Sequence, residues 1–148
     1  MATDLNAGVA ARLRAVDQRY TAGRQRLVEL LERADRPLTV PEILELEPAL
    51  APSSAYRNLT VLVEAGVVAR IVTSQEHAHF ELDSSYTHHH HHLVCQVCGR
   101  VTDFTLGEAA EHDLDAALIR IATGAGYTGI DHRLDVVGTC PDCHDTQP

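Results

Sequence analysis

Residues 87–99, THHHHHLVCQVCG, concentrate metal-binding side chains as no other stretch of the chain does. Cys95 and Cys98 form a CxxC pair followed by Gly99, and a second pair, Cys140 and Cys143, lies near the C-terminus. A CxxCG turn aims two sulfurs at one point, and two such turns supply the four thiolates that zinc takes in closed structural sites. The 41 residues between Cys98 and Cys140 exceed the spacing of compact ribbon motifs, so a shared zinc would staple the start of a C-terminal unit to its end. A redox CxxC or free core thiols are the competing readings of the pairs.

Five histidines, His88 to His92, run directly into the first cysteine pair. An expression tag is the bland explanation, but this run is internal and lacks tag-like flanks; a solvated loop binding metal incidentally is another. In an extended strand, alternation sends His90 and His92 to one side and His89 and His91 to the other. One short run can thus feed two separate metal sites. The further donors each site needs are available in His77, His79, Glu81, Asp103, Glu111, His112, Asp115 and His132. Imidazole suits zinc, iron, nickel and manganese in turn.

The 148 residues are enough for one domain or two small ones, and 45% apolar content supports a packed core without disulfides. There is no run near the length of a membrane span and no signal-type apolar segment at the N-terminus. A cytoplasmic, non-membrane protein with reduced cysteines is therefore expected. The net charge of −9 weighs against nucleic-acid binding, but it is unevenly spread: residues 1–75 hold nine arginines and nine acids, residues 76–148 three arginines and twelve acids. An Arg-bearing, neutral first half can still grip phosphate, and the acidic second half suits cations.

Periodicity predicts helices over 5–18 and about 22–35 (capped by Thr21), a break at Arg36-Pro37, and a short helix near 40–47. Ser53 or Ser54 is the expected N-cap of a fourth helix, which Gly66 ends in a left-handed turn. Strands at 67–73 and 77–82 around a turn at Ser74-Gln75-Glu76 make a hairpin after that helix, hence a winged helix-turn-helix. The expected fold is α/β (α+β): a winged helix over residues 1–83, a polar linker at 84–86 and a metal-binding unit over 87–148. In that unit 92–95 and 100–104 read as strands, 106–125 as a helix with Leu114, Leu118 and Ile121 on one face, and 127–137 as a strand.

SSAYRNL (where the family usually has TVYRTL), EAGVV, HHHHHLVCQVCGRVTDF, DHRLDVVGTC and the final CPDC together resemble the ferric uptake regulator (Fur) family of bacterial metal-responsive repressors, from about Arg19 to Cys143. The resemblance implies a homodimer with an N-terminal winged helix and a small C-terminal α/β dimerisation domain. It implies a double-stranded DNA operator as partner, structural Zn2+, and a second divalent metal (Zn2+, Fe2+ or Mn2+) acting as corepressor by fixing the interdomain angle. Cys95, Cys98, Cys140 and Cys143 match the structural zinc ligands. His90, His92 and Glu81 match the regulatory site between the domains, and Asp103 an acidic ligand used by some members. His89, His91 and His132 match a second site in the dimerisation domain, with Asp115 the best match to its helix acid and Glu111 or His112 as alternatives. The family's ligand before the third helix is absent from Arg36-Pro37-Leu38-Thr39; His77 or His79 could replace it, and His79 is nearer to Glu81. The stretch from Leu82 to the histidines is about two residues longer than in typical members.

At the start of the fourth helix, Arg57 can fork onto guanine or phosphate and Tyr56 can meet a thymine methyl or phosphate. Arg19, Arg24 and Arg70 are candidate phosphate contacts, although a solvated face looks the same in sequence. Two rival readings, a metal-dependent hydrolase and a zinc store or chaperone, find no HExxH, nucleophile elbow or phosphate loop and no use for a helix-plus-wing. Within the family, a zinc uptake regulator and a peroxide sensor stand beside an iron regulator. No enzymatic activity is expected.

Overall fold

The computed structural model describes residues 2–73 and 76–146. Four helices come first: α1 (Ala2–Ala15), α2 (Ala22–Arg33), α3 (Val40–Leu46) and α4 (Pro52–Glu64), with a two-residue strand β1 (Leu38–Thr39) between α2 and α3. Strands β2 (Val68–Ile71) and β3 (His79–Leu82) form the wing. β1 and β2 each pair antiparallel with β3, giving the order β1-β3-β2. Val9 and Leu13 of α1, Leu27 and Leu31 of α2, Ile43 of α3, Leu59 and Leu62 of α4 and Phe80 of β3 are buried in one core.

Local chemistry explains most boundaries. Pro52 occupies the first turn of α4, where its missing N–H costs nothing. The helix therefore starts before Ser53 and Ser54, with Ala51 at the N-cap, and neither serine caps it. Thr21 does sit at the N-cap of α2 but makes no side-chain cap bond. Gly66 ends α4 at φ +71°, and Val67 N–H donates to Leu62 O at 2.9 Å, closing the left-handed turn. The α3 N-terminus carries a signal that the sequence reading passed over: Thr39 and Glu42 form a reciprocal capping box, Glu42 accepting the Thr39 N–H at 2.8 Å. Of the expected wing turn, Ser74 and Gln75 lie outside the described residues.

The second half forms its own sheet. β4 (His91–Cys95) lies between β5 (Val101–Phe104), antiparallel, and β6 (Asp135–Gly138), parallel. Helix α5 (Glu108–Gly124) follows β5, and a short α6 (Pro141–His144) carries the last cysteine. The strand expected over 127–137 shrinks to its end. Gly126 and Gly129 adopt φ +86° and +63°, and the residues that follow them form no strand before Asp135, although Leu134 O accepts the His92 N–H at 3.2 Å. The apolar face expected on α5 is not inward either: the helix buries none of its residues, and Ile121 is 70% exposed.

The linker is held by α1. Arg12 donates to Gly66 O and, at 2.8 Å, to Ser85 Oγ; it lies 3.5 Å from Asp83 and stacks 4.8 Å over the Tyr86 ring. One arginine thus ties the end of α4 to the segment leading into the histidines.

The capping box gives a stability test. Burial opposes the Glu42 carboxylate, but its bonds from Thr39 and the Arg36 charge outweigh that and lower its pKa. A depressed folded-state pKa stabilises above the unfolded value, and the benefit disappears as pH falls through the folded value. Thr39→Ala is expected to cost about 1 kcal/mol at neutral pH. In urea melts that cost should shrink as the pH is lowered below the usual carboxylate range and the Thr39 hydroxyl loses its charged acceptor, leaving the part that comes from the Glu42 N–H bond to Thr39 Oγ1; a cost that does not change with pH would reject the account.

Candidate metal centres

Among the described residues three groups of donor atoms converge, each with all its atoms within 4.8 Å of one another. The first comprises Cys95, Cys98, Cys140 and Cys143. Cys95 ends β4 and Cys98 follows on a tight turn closed by Gly99 N–H to Cys95 O at 2.9 Å, with Gly99 at φ +73°. The Gln96 N–H donates to Gly138 O at 2.8 Å, locking this knuckle to the end of β6 and to Cys140. Cys98 and Cys140 sulfurs stand 3.8 Å apart and no cysteine is in a disulfide. Zinc–sulfur bonds of about 2.3 Å place tetrahedral sulfurs about 3.8 Å apart, so the cluster has the dimensions of a structural zinc site. The N–H groups of Cys140 and Cys98 point at Cys95 Sγ and push its pKa down to about 6, while the hydrogen bond with the Cys140 thiol pushes Cys143 up to about 12, so the first thiolate of the cluster forms at Cys95.

The second group joins the two halves of the chain: Glu81 from β3, His90 and His92 at the start of β4, and Asp103 from β5. Glu81 spreads its two oxygens over the histidines, Oε2 at 3.0 Å from His90 Nε2 and Oε1 at 2.9 Å from His92 Nε2. Asp103 pairs with His92 across the β4–β5 ladder and approaches the same nitrogens at 3.8 and 3.9 Å. Burial disfavours the charged imidazole of His92, but Glu81 and Asp135 outweigh it and raise its pKa; for His90 the His88 carbonyl and Glu81 do the same. Asp103 is raised by burial and by the neighbouring Glu81 charge. Two carboxylates and two imidazole nitrogens aimed at one point are a donor set for Zn2+, Fe2+ or Mn2+.

The third group is His89, His91, Glu111 and His132. Glu111 on α5 meets His89 Nε2 at 3.0 Å, His91 Nε2 at 2.9 Å and His132 Nε2 at 3.1 Å. His91 is 1% exposed. The His132 contact is not aligned as a hydrogen bond, so that buried nitrogen has no partner of its own, as a waiting metal donor would not.

The sequence-predicted residues divide accordingly. The four cysteines come together; so do Glu81, His90, His92 and Asp103; so do His89, His91 and His132. Asp115 does not join the last cluster. It lies one helical turn beyond Glu111 and instead takes His132 Nδ1 at 2.9 Å, leaving Glu111 as the converging carboxylate. His79 does not join the Glu81 cluster. It shares the strand face with Glu81, but two residues of strand displace it by about 7 Å. There it faces a 650 Å³ cleft with Arg36, Glu42, His77 and the Cys98–Thr102 turn. Burial lowers its pKa.

On the first half, Tyr56 and Arg57 are exposed on the first turns of α4, and Arg19 and Arg70 are exposed as well. Arg24 is different: it is buried, and its guanidinium donates to Asn58 Oδ1 at 3.2 Å, Arg19 O at 2.6 Å and Gln18 Oε1 at 3.0 Å. It braces α2 against α4 with three of its five N–H donors. Asp135 was missed entirely: its carboxylate takes the His92 Nδ1–H at 3.0 Å, a contact that only strand pairing reveals.

The zinc reading predicts one zinc per chain that survives chelation. Cys98→Ser should lose it by elemental analysis and lower the melting temperature by about 10 °C, the shift that about 3 kcal/mol produces in a chain of this size. Retained zinc in that variant would overturn the assignment.

Comparison with known proteins agrees with this geometry. Residues 15–137 match the ferric uptake regulator family. The ferric uptake regulation protein of Neisseria gonorrhoeae is 32% identical over 138 residues, covering 90% of this chain and 91% of that protein. The peroxide-responsive repressor PerR of Staphylococcus aureus (strain USA300) is 27% identical, over 91% of this chain and 88% of that protein. Among solved structures, the Helicobacter pylori ferric uptake regulator, described as having three functional metal-binding sites, superposes with a TM-score of 0.72 at 18% identity, covering 100% of this chain and 97% of that one. The Vibrio cholerae regulator gives 0.66 at 26% identity, over 86% and 96%. With the family matched over residues 15–137 and a relative 32% identical over nine-tenths of both chains, the chain belongs to the ferric uptake regulator family.

Proposed function

We propose that the protein is a metal-dependent transcriptional repressor that binds operator DNA as a homodimer, with a divalent cation as corepressor. The observation that carries this is Glu81. It is the one donor in its cluster that comes from the first sheet, while His90, His92 and Asp103 come from the second half. A cluster drawn from both sides of the linker reports on their relative placement. Residues 1–83 would be the DNA-contacting unit, 84–86 the hinge and 87–148 the assembly unit.

Glu81, His90, His92 and Asp103 would hold the corepressor, which when bound supplies the positive charge that two close carboxylates lack. Glu81 sits on the central strand of the wing sheet, so fixing its carboxylate against β4 fixes α4 and its exposed Tyr56 and Arg57. In a dimer this sets the distance between two recognition helices, which must match half-sites about one DNA turn apart. The cation acts by favouring one arrangement over others. Arg57 and Tyr56 would read base edges, and Arg19 and Arg70 would contact phosphate; Arg24 keeps the bracing role its bonds describe. Glu111 with His89, His91 and His132 would hold a further cation within the assembly unit.

The homodimer is supported by exposed apolar side chains on and after α5 and on β6. Ile119, Ile121, Tyr127, Val136 and Val137 are all exposed, apolar surface of the kind that suits a protein interface. Ile121→Glu is expected to shift sedimentation from dimer to monomer; an unchanged dimer would place the interface elsewhere.

The function itself is tested by fluorescence anisotropy on operator DNA selected from a random library, with zinc-retaining protein titrated separately with Zn2+, Fe2+ and Mn2+. One cation should switch on tight binding. Arg57→Ala should weaken it about 10–100-fold, the loss of one bidentate contact, and Glu81→Ala should remove the cation dependence. Equal affinity with and without cation would reject the proposal.

A further inference from the structure

We infer that Asp135 is the positioning residue of the interdomain cation cluster, holding His92 so that its Nε2 alone is presented as a donor. The inference rests on the reading of Glu81, His90, His92 and Asp103 as a cation site. A neutral imidazole has one N–H and one lone pair, and the partner of the N–H decides which nitrogen can bind a metal. The Asp135 carboxylate lies 3.0 Å from His92 Nδ1, while Nε2 faces Glu81 at 2.9 Å. Asp135 is therefore on the far side of the ring from the converging donors and is not among them.

The backbone makes this contact a built one. His92 and Asp135 are register partners in the parallel β4–β6 pair, and the His92 N–H donates to Leu134 O at 3.2 Å. Main chain and side chain of His92 are both held by the same strand end. The other clustered histidines differ in how their Nδ1 is served. His90 uses the carbonyl of His88 at 2.7 Å, a bond no substitution of a side chain removes. His132 Nδ1 lies 2.9 Å from the Asp115 carboxylate, and the buried His91 Nδ1 has no hydrogen-bond partner among the described residues. In the interdomain cluster, His92 is the donor oriented by a side chain. Because that side chain belongs to β6, three residues before the Gly138 that receives the Gln96 N–H of the cysteine knuckle, the same strand steadies both centres.

An anionic acceptor also makes the opposite nitrogen a better electron-pair donor. Asparagine retains an acceptor oxygen without the charge, and alanine removes both. Cobalt(II) serves as the probe, since its visible absorption reports coordination directly. It is titrated into zinc-retaining wild type, Glu81→Ala, Asp135→Asn and Asp135→Ala, and the signal analysed is the part lost in Glu81→Ala. Cobalt affinity for that site is expected to fall about 10–100-fold in Asp135→Ala and by less in Asp135→Asn. The band position should shift, and the cation-free melting temperature should match wild type, because the Asp135 side chain is 45% exposed. Equal affinities in all Asp135 forms overturn the inference and leave the site standing. Weakened binding with an equally lowered cation-free melting temperature overturns it in favour of a structural role. If wild type shows no signal dependent on Glu81, the site reading and this inference fall together.

Discussion

Strand β4, whose alternation puts His91 and His92 on opposite faces and which His89 and His90 immediately precede, is the constraint from which the two histidine clusters follow. Paired on both edges, antiparallel to β5 and parallel to β6, β4 cannot slide without breaking two ladders at once. A slip of a single residue would exchange every side chain between faces and hand His90 and His92 to Glu111 instead of Glu81. The separation of the clusters is thus a property of the backbone. It extends the length of the strand: His92 stands opposite Asp135 near one end, and Cys95 stands opposite Gly138 at the other. The cysteine cluster clamps the end of β4–β6 away from the hinge, which gives the histidines at the near end a fixed platform.

What the histidines act on is a weak joint. The first half has a large apolar core of its own, whereas Ile71 of the wing shares a buried cluster only with Val94 and Val101 of the second sheet. A fully buried aliphatic side chain contributes about 1.5–3 kcal/mol, so this contact amounts to a few kcal/mol. A charge pair about 4 Å apart near a protein surface is worth about 4 kcal/mol. The electrostatics of Glu81, Asp103 and two imidazoles are therefore comparable with the apolar contact beside them, and the occupancy of that cluster can decide the domain arrangement. A joint packed like the first core would be indifferent to it.

Residue spacing makes much of this legible, and where it fails the cause is three-dimensional. The CxxC pairs, the period-two split of the histidines, Gly66 and the hairpin after α4 are local signals, and local geometry realises them. Asp115 and Glu111 are one turn apart on one helix, so sequence cannot say which turn lies level with β4; Glu111 does, and Asp115 reaches the outer nitrogen of His132. Proximity along the chain favoured His79 as a partner of Glu81, but strand rise separates them. Arg24 looks like any surface arginine until α4 brings Asn58 to it. Asp135 carries no pattern at all, since its meaning comes from a parallel register with a strand 43 residues away.

Helix α5 joins assembly to cation chemistry. None of its residues is fully buried, and Leu114 and Leu118 are only half-buried, yet Glu111 and Asp115 tie it to His89, His91 and His132. A helix without an apolar seat is ordinarily marginal, because its ordering entropy is not offset by burial. Two things can supply the deficit: charged contacts with the histidines, strengthened by a cation on Glu111, and a second copy covering Ile119 and Ile121. Each stabilises the helix position that the other requires, so occupancy of the third cluster and dimerisation are linked equilibria in the proposed assembly. The interdomain cluster lacks this property. It acts on the joint rather than on α5, and the two clusters can therefore respond to cations separately even though their histidines alternate along one strand.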